Sequence, residues 1–146
     1  VRHPNIISDD EARVAELVRS ARRVAVLGIK TDEQRGQPAY YVPATLQRGG
    51  VEIVPVPVYY PEATEILGQQ VYRKVADVPG DIDIVDVFRR GRDVPEHLAD
   101  LLAKKPRAVW LQSGIRDDAS AEVLAEAGIL VVQDRCLMVD HERYAR

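Results

Sequence analysis

Val24 to Gly36, VAVLGIKTDEQRG, decides the fold class, because an apolar run breaks there into glycine and then into charge. Val24-Ala25-Val26-Leu27 lacks the polar alternation of a half-exposed strand. Such a run suits a parallel strand covered on both faces. Gly28 ends it, and Lys30, Thr31, Arg35 and Gly36 follow before a helical pattern resumes near Pro38. Backbone N–H groups and cations therefore converge at a helix N-terminus, a setting for a phosphate-bearing ligand. The full G-x-G-x-x-G fingerprint is absent, so an ordinary strand-to-helix turn is the alternative at this point.

Upstream, Ser8-Asp9-Asp10-Glu11 has the form of a capping box, and Val14, Leu17, Val18 and Ala21 recur at helical spacing. This N-terminal helix, about 9–21, is expected to pack on the sheet. Downstream, Ala39, Val42, Ala44 and Leu46, closed by Gly49-Gly50, predict a second helix in which Pro43 forces a kink or a late start. Glu52 to Val56 (EIVPV) reads as the second strand, and Pro55 and Pro57, which cannot both sit in a ladder, predict that it ends at an open edge or turns into a loop there. Glu62 to Leu67 reads as a short helical turn stopped by Gly68. Asp83 to Phe88 is a strand, followed by a helix starting near Asp93 with Leu98, Leu101 and Leu102 as its core face and Pro106 at its end. Ala108 to Leu111 is the next strand. Asp117-Asp118 opens a helix carrying Val123, Leu124 and Ala127, closed by Gly128; Ile129 to Val132 is the last strand, before a short helix with Leu137, Met138 and Tyr144. Strands alternating with helices predict an α/β, Rossmann-like, doubly wound and mainly parallel sheet of about five strands with helices on both faces. A chain of 146 residues matches one domain of this kind.

In such a sheet the strand-to-helix loops share one rim, and ligands bind there at the switch point. The loops are GIKTDEQRG, PVYYP, FRRGR, QSGIR and QDRC, and every one but PVYYP holds a Lys or Arg. The rim thus reads as an anion site on a chain of formal charge -3. That overall charge argues against a nucleic-acid footprint or a polybasic membrane patch. No apolar run approaches a membrane span and the first residues form no signal peptide, so the cytoplasm is the expected location. Cys136 is the single cysteine, and His3, His97 and His141 lack ligand spacing, so neither a disulfide framework nor a metal site is expected.

VAVLGI, EIVPV, EILGQQVY, DIDIVDVFRR, AVWLQSGI and VVQDRCLMV together resemble the small stand-alone CoA-binding proteins, whose domain is similar to the CoA-binding domain in the alpha subunit of succinyl-CoA synthetase. The resemblance runs from about Arg23 to Met138. It implies coenzyme A lying across the rim, with pyrophosphate near Gly28 to Gly36, including Ile29, Lys30, Thr31 and Arg35. It implies pantetheine near Val87, Phe88, Ser113, Gly114 and Ile115, and the thiol end approaching Arg135 and Cys136. The synthetase carries its phosphorylated histidine in a further domain with no counterpart in these residues. Relatives also place a lysine after the second strand, near the 3′-phosphate, whereas Pro57-Val58-Tyr59-Tyr60-Pro61 has no cation.

The competing ligand is a nicotinamide dinucleotide, which wants an acidic residue at the end of the second strand, where Pro57 and Val58 stand. A flavodoxin-like response module would need a phosphoacceptor carboxylate at a strand end, and Gly28, Phe88 and Gln112 occupy those ends. Of Arg89 and Arg90, one is expected to serve the ligand and the other to pair with a carboxylate such as Asp93. Asp86, inside an apolar strand, is read as an acceptor for a nearby arginine or backbone N–H. Trp110 is read as core. Gln112 either orients the pantetheine amides or caps the following helix. Cys136 is either a buried apolar residue or a thiol facing the CoA sulfur, which keeps a redox sensor open. No nucleophile–base–orienter set emerges, and the expected role is a non-catalytic or regulatory CoA-binding protein with a small-molecule ligand and an unknown protein partner.

Overall fold

The computed structural model describes residues 2–145. Five parallel strands form the sheet: β1 (Arg23–Leu27), β2 (Glu52–Val56), β5 (Ile84–Val87), β6 (Ala108–Leu111) and β7 (Leu130–Val132). Their order is β2-β1-β5-β6-β7, and a two-stranded hairpin, β3 (Glu65–Ile66) with β4 (Gln69–Gln70), stands apart. The helices are α1 (Glu11–Ser20), α2 (Pro38–Arg48), α3 (Leu98–Lys104), α4 (Asp118–Glu126) and α5 (Leu137–Tyr144). This is the doubly wound α/β sheet expected from the continuous apolar strands.

Alternation along β1 explains the two layers. Val24 and Val26 join a core with α1, α2 and α5, while Ala25 and Leu27 join one with α3 and α4. Residues 24–27 are all buried, as a central strand covered on both faces requires. Trp110 is fully buried and its Nε1 donates to the Arg135 carbonyl at 2.8 Å.

Both sheet edges are covered. At the β2 edge, Pro55 has no N–H to offer, and its carbonyl accepts from Tyr72 N at 3.0 Å. At the β7 edge, Val131 exchanges backbone hydrogen bonds with Asn5 and Ile7 at 2.8 and 2.9 Å. Neither edge is left as a long unpaired ladder.

Several expectations are corrected. α1 starts two residues later than a Ser8 cap would place it, with Asp10 as N-cap accepting from Arg13 N at 3.2 Å. Ser8 is buried and its hydroxyl accepts from Gln133 N, 125 residues away. Glu62 to Leu67 is no helical turn: it enters the hairpin, whose Leu67 and Gly68 both have positive φ (53° and 73°), the backbone of a type I′ turn. Residues 91–97 form a 3-10 helix before α3, which therefore begins at Leu98. Val123 is exposed and contributes nothing to the α4 core face. Pro43 does not delay α2, which runs through it from Pro38 to Arg48. Its missing N–H would free the Ala39 carbonyl, and Lys30 N takes that acceptor at 3.1 Å, stitching the first rim loop to the helix.

Candidate functional site

β1 and β5 are neighbours, but the chain leaves β1 toward α2 on one face and leaves β5 toward α3 on the other. The crevice between them is the switch point of the sheet. Gly28 has φ +87°, and a Cβ there would lie 2.5 Å from the Phe88 carbonyl oxygen. At Gly91 a Cβ would lie 2.1 Å from the Arg116 carbonyl oxygen. Only glycine lets these loops approach so closely.

A groove of about 420 Å³ opens over this crevice, lined by Lys30, Phe88, Arg89, Gly114 and Ile115 of the expected residues. It is completed by Gln37, Pro38, Ala39, Arg90 and Gly91, of which the first three form the start of α2. Gln37 caps α2 without a side-chain hydrogen bond, so the helix start faces the groove without a capping side chain. Pro38 at the first helical position was the sequence signal for that start.

The 57–61 loop leans over the crevice and holds two rim cations on its tyrosines. Lys30 Nζ lies 3.4 Å from Tyr60 Oη and 5.9 Å from that ring's centroid. Arg89 donates to Tyr59 Oη at 3.2 Å and sits 5.5 Å over its ring. Arg89 also donates to Glu96 at 2.7 Å and to His97 Nε2 at 3.1 Å, and its side chain is only 11% exposed. Burial, then the Arg89 charge, hold the His97 pKa below its ordinary value, which keeps that nitrogen an acceptor. Arg90 pairs with Asp93 at 2.8 Å, so Arg89 and Arg90 both have carboxylate partners where one was expected to. Beyond this cluster a second groove of about 600 Å³ is walled by Leu27, Pro57, Val58, Arg73, Lys74 and His97, among others.

The remaining expected residues do not line either groove. Ile29 and Val87 are core. Thr31 bonds Gln34 through its N–H and hydroxyl at 3.0 and 2.6 Å, and Arg35 lies over the Tyr40 ring at 5.7 Å. Gln112 is buried and accepts from Leu137 N at 2.9 Å, capping α5 rather than the helix that follows it. Ser113 is exposed beside Gly114, whose N–H donates to Asp134 at 2.6 Å. The Arg135 guanidinium is engaged by Glu11 (2.6 Å), Asp140 (2.8 Å) and the Ser8 carbonyl (2.9 Å). That network lowers the Glu11 pKa to about 2, chiefly through the Arg135 hydrogen bond. Cys136 is half-buried, precedes α5 and packs against the α1–α2–α5 core.

Asp86 corrects the expectation of a structural acceptor. It is fully buried in β5 between Val26 and Trp110, and neither carboxylate oxygen has a hydrogen-bond partner among the described residues. Burial pushes its pKa well above the ordinary carboxylate range. Among the described residues no group of three potential metal ligands occurs, and no helix is long and apolar enough to cross a membrane.

Comparison with known proteins converges on one family. The profile described as CoA binding domain matches residues 22–142. The uncharacterized protein YneT of Bacillus subtilis (strain 168) is 30% identical over 131 residues, covering 90% of this chain and 93% of its own. A Thermus thermophilus structure, cell-free ID.343, superposes with TM-score 0.83 at 39% identity over 92% of this chain and 98% of that one. A hypothetical protein from Pyrococcus horikoshii OT3 superposes with TM-score 0.83 at 26% identity over 100% and 98%. With the switch-point groove, the glycine-dependent loop crossing and a profile match over most of its length, the chain belongs to the CoA binding domain family.

Proposed function

We propose that this protein binds coenzyme A, or an acyl-CoA, across the carboxyl-end rim of its sheet, in a non-catalytic or regulatory role. The observation that carries the reading is the start of α2, free of a capping side chain, opening into the switch-point groove beside Lys30. Partial positive charge at a helix start and one ammonium together suit a diphosphate. Phe88, Ile115 and Gly114 give the same groove an apolar wall for an uncharged pantetheine arm. Pro57 and Val58 at the end of β2 offer no acceptor to an NAD ribose, which disfavours the dinucleotide. Arg89 and Arg90 are each tied to a carboxylate and His97 accepts from Arg89, an arrangement for holding rather than for turnover.

Thermal melts with CoA and with NAD test the reading. A ligand specific for the folded state at a hundredfold excess over its Kd adds about 2.7 kcal/mol. An upward shift with CoA and little with NAD is expected. A shift with NAD and none with CoA would overturn it.

A further inference from the structure

The second groove lies beside the one segment of the rim whose own loop has no cation, Pro57 to Pro61. The hairpin changes that. After β4 the chain returns along β2, where Tyr72 N donates to the Pro55 carbonyl at 3.0 Å, and this sets Arg73 and Lys74 beside Pro57 and Val58. Arg73 acts as a clasp, donating to the carbonyls of Tyr59 (3.2 Å), Tyr60 (2.8 Å) and Ala63 (2.8 Å). Lys74 is exposed, and its ammonium has no hydrogen-bond or ion-pair partner among the described residues.

The carboxylates of this groove are engaged elsewhere. Glu96 accepts from Arg89 at 2.7 Å, and Asp100 accepts from Val75 N and Ala76 N at 2.8 Å each. His97 is held neutral by burial and by Arg89. Among the described residues, the groove's ammonium without a hydrogen-bond or ion-pair partner is therefore that of Lys74, next to an apolar wall of Leu27, Pro57 and Val58, while the donors of the neighbouring Arg73 are spent on loop carbonyls. A flat heteroaromatic base with a nearby phosphate is complementary to that pairing of surfaces.

Resting on the CoA reading above, we propose that Lys74 is the specificity residue for the 3′-phosphate of the adenosine end. The diphosphate lies at Lys30 and the start of α2, the ligand crosses the end of β1, and its adenosine enters the second groove with the 3′-phosphate at Lys74. Lys74 thus supplies, from a segment beyond the hairpin, the cation that the loop after β2 lacks.

Calorimetry with CoA and dephospho-CoA on the wild type, Lys74→Ala and Lys74→Arg tests this at low and moderate salt. The wild type is expected to prefer CoA by about tenfold or more. Lys74→Ala should abolish that preference and leave the dephospho-CoA affinity unchanged, and Lys74→Arg should keep most of it. Equal wild-type affinities, or a Lys74→Ala variant that still prefers CoA, would overturn the assignment while leaving CoA binding intact. Failure of the wild type to bind either ligand would remove the CoA reading and this assignment with it.

Discussion

Lys30 and Arg135 are both cations in strand-end loops on the same edge of one sheet, yet their surroundings are opposite. At the β1–β2 end, among the described residues, the Lys30 ammonium is bonded to a tyrosine and to no carboxylate, and the Lys74 ammonium has no ion-pair partner. At the β7 end, Arg135 is closed in by Glu11 and Asp140. One end keeps cations available to an incoming anion, while the other uses its cation to fasten α1 and α5 to the rim. A positive residue in a rim loop is thus open to an anion only where no carboxylate from elsewhere in the chain reaches it first.

The most severe way to probe this contrast is Arg135→Ala. Asp140 is only 4% exposed on its side chain, so removing its partner leaves a buried carboxylate uncompensated. A stability loss of about 3 kcal/mol or more is expected in denaturant titration. CoA affinity extrapolated to the folded fraction should be nearly unchanged. A large loss of affinity with intact stability would move Arg135 into the ligand site and dissolve the distinction between the two ends.

Lys30→Ala probes the open end. Lys30 makes one long contact to Tyr60 Oη, so stability should hold, while affinity for CoA and dephospho-CoA falls together by an amount equivalent to about 1.5–3 kcal/mol. Calorimetry in parallel with thermal melts reads both quantities. Unchanged affinity would place the diphosphate elsewhere on the rim.

The smallest signal per step of the measurement is a slope in pH, and it comes from Asp86 in β5, between the two ends. Burial raises its pKa in the folded protein above the unfolded value, so the fold accommodates the protonated acid. The stability that this group contributes is complete below the ordinary carboxylate pKa, about 3.9. It declines as pH rises from there toward the folded value, by up to about 1.4 kcal/mol per pH unit. Asp86→Asn should remove that decline and make stability flatter between acid and neutral pH. A variant with the wild-type slope would mean that Asp86 is ionised and has a partner.

Much of the molecule was legible because its signals are local. β2 and β6 occur at the expected residues, since a run such as AVWL can be satisfied only in the middle of a covered sheet. The helix starts at Pro38 and Asp117 were readable from proline position and side-chain capping. Elsewhere a distant partner prevails over the local pattern. Ser8 and Glu11 have capping-box spacing, but their side chains bond Gln133 N and Arg135 instead. The turn of the hairpin at 65–70 is met by Gln47 Nε2, which donates to the Leu67 carbonyl at 2.9 Å from 20 residues away, a contact absent from the local sequence.

By itself, then, the sequence determined the parallel sheet, its rim and the presence of cations along it, because strand burial and turn chemistry depend on residues a few positions apart. Only the tertiary structure decided which cations are available. Arg135 met Glu11, 124 residues away, and the hairpin carried Lys74 to the end of β2. Charge pairing acts through space, and a distance of a few ångströms between segments far apart in the chain has no signature in composition, spacing or periodicity.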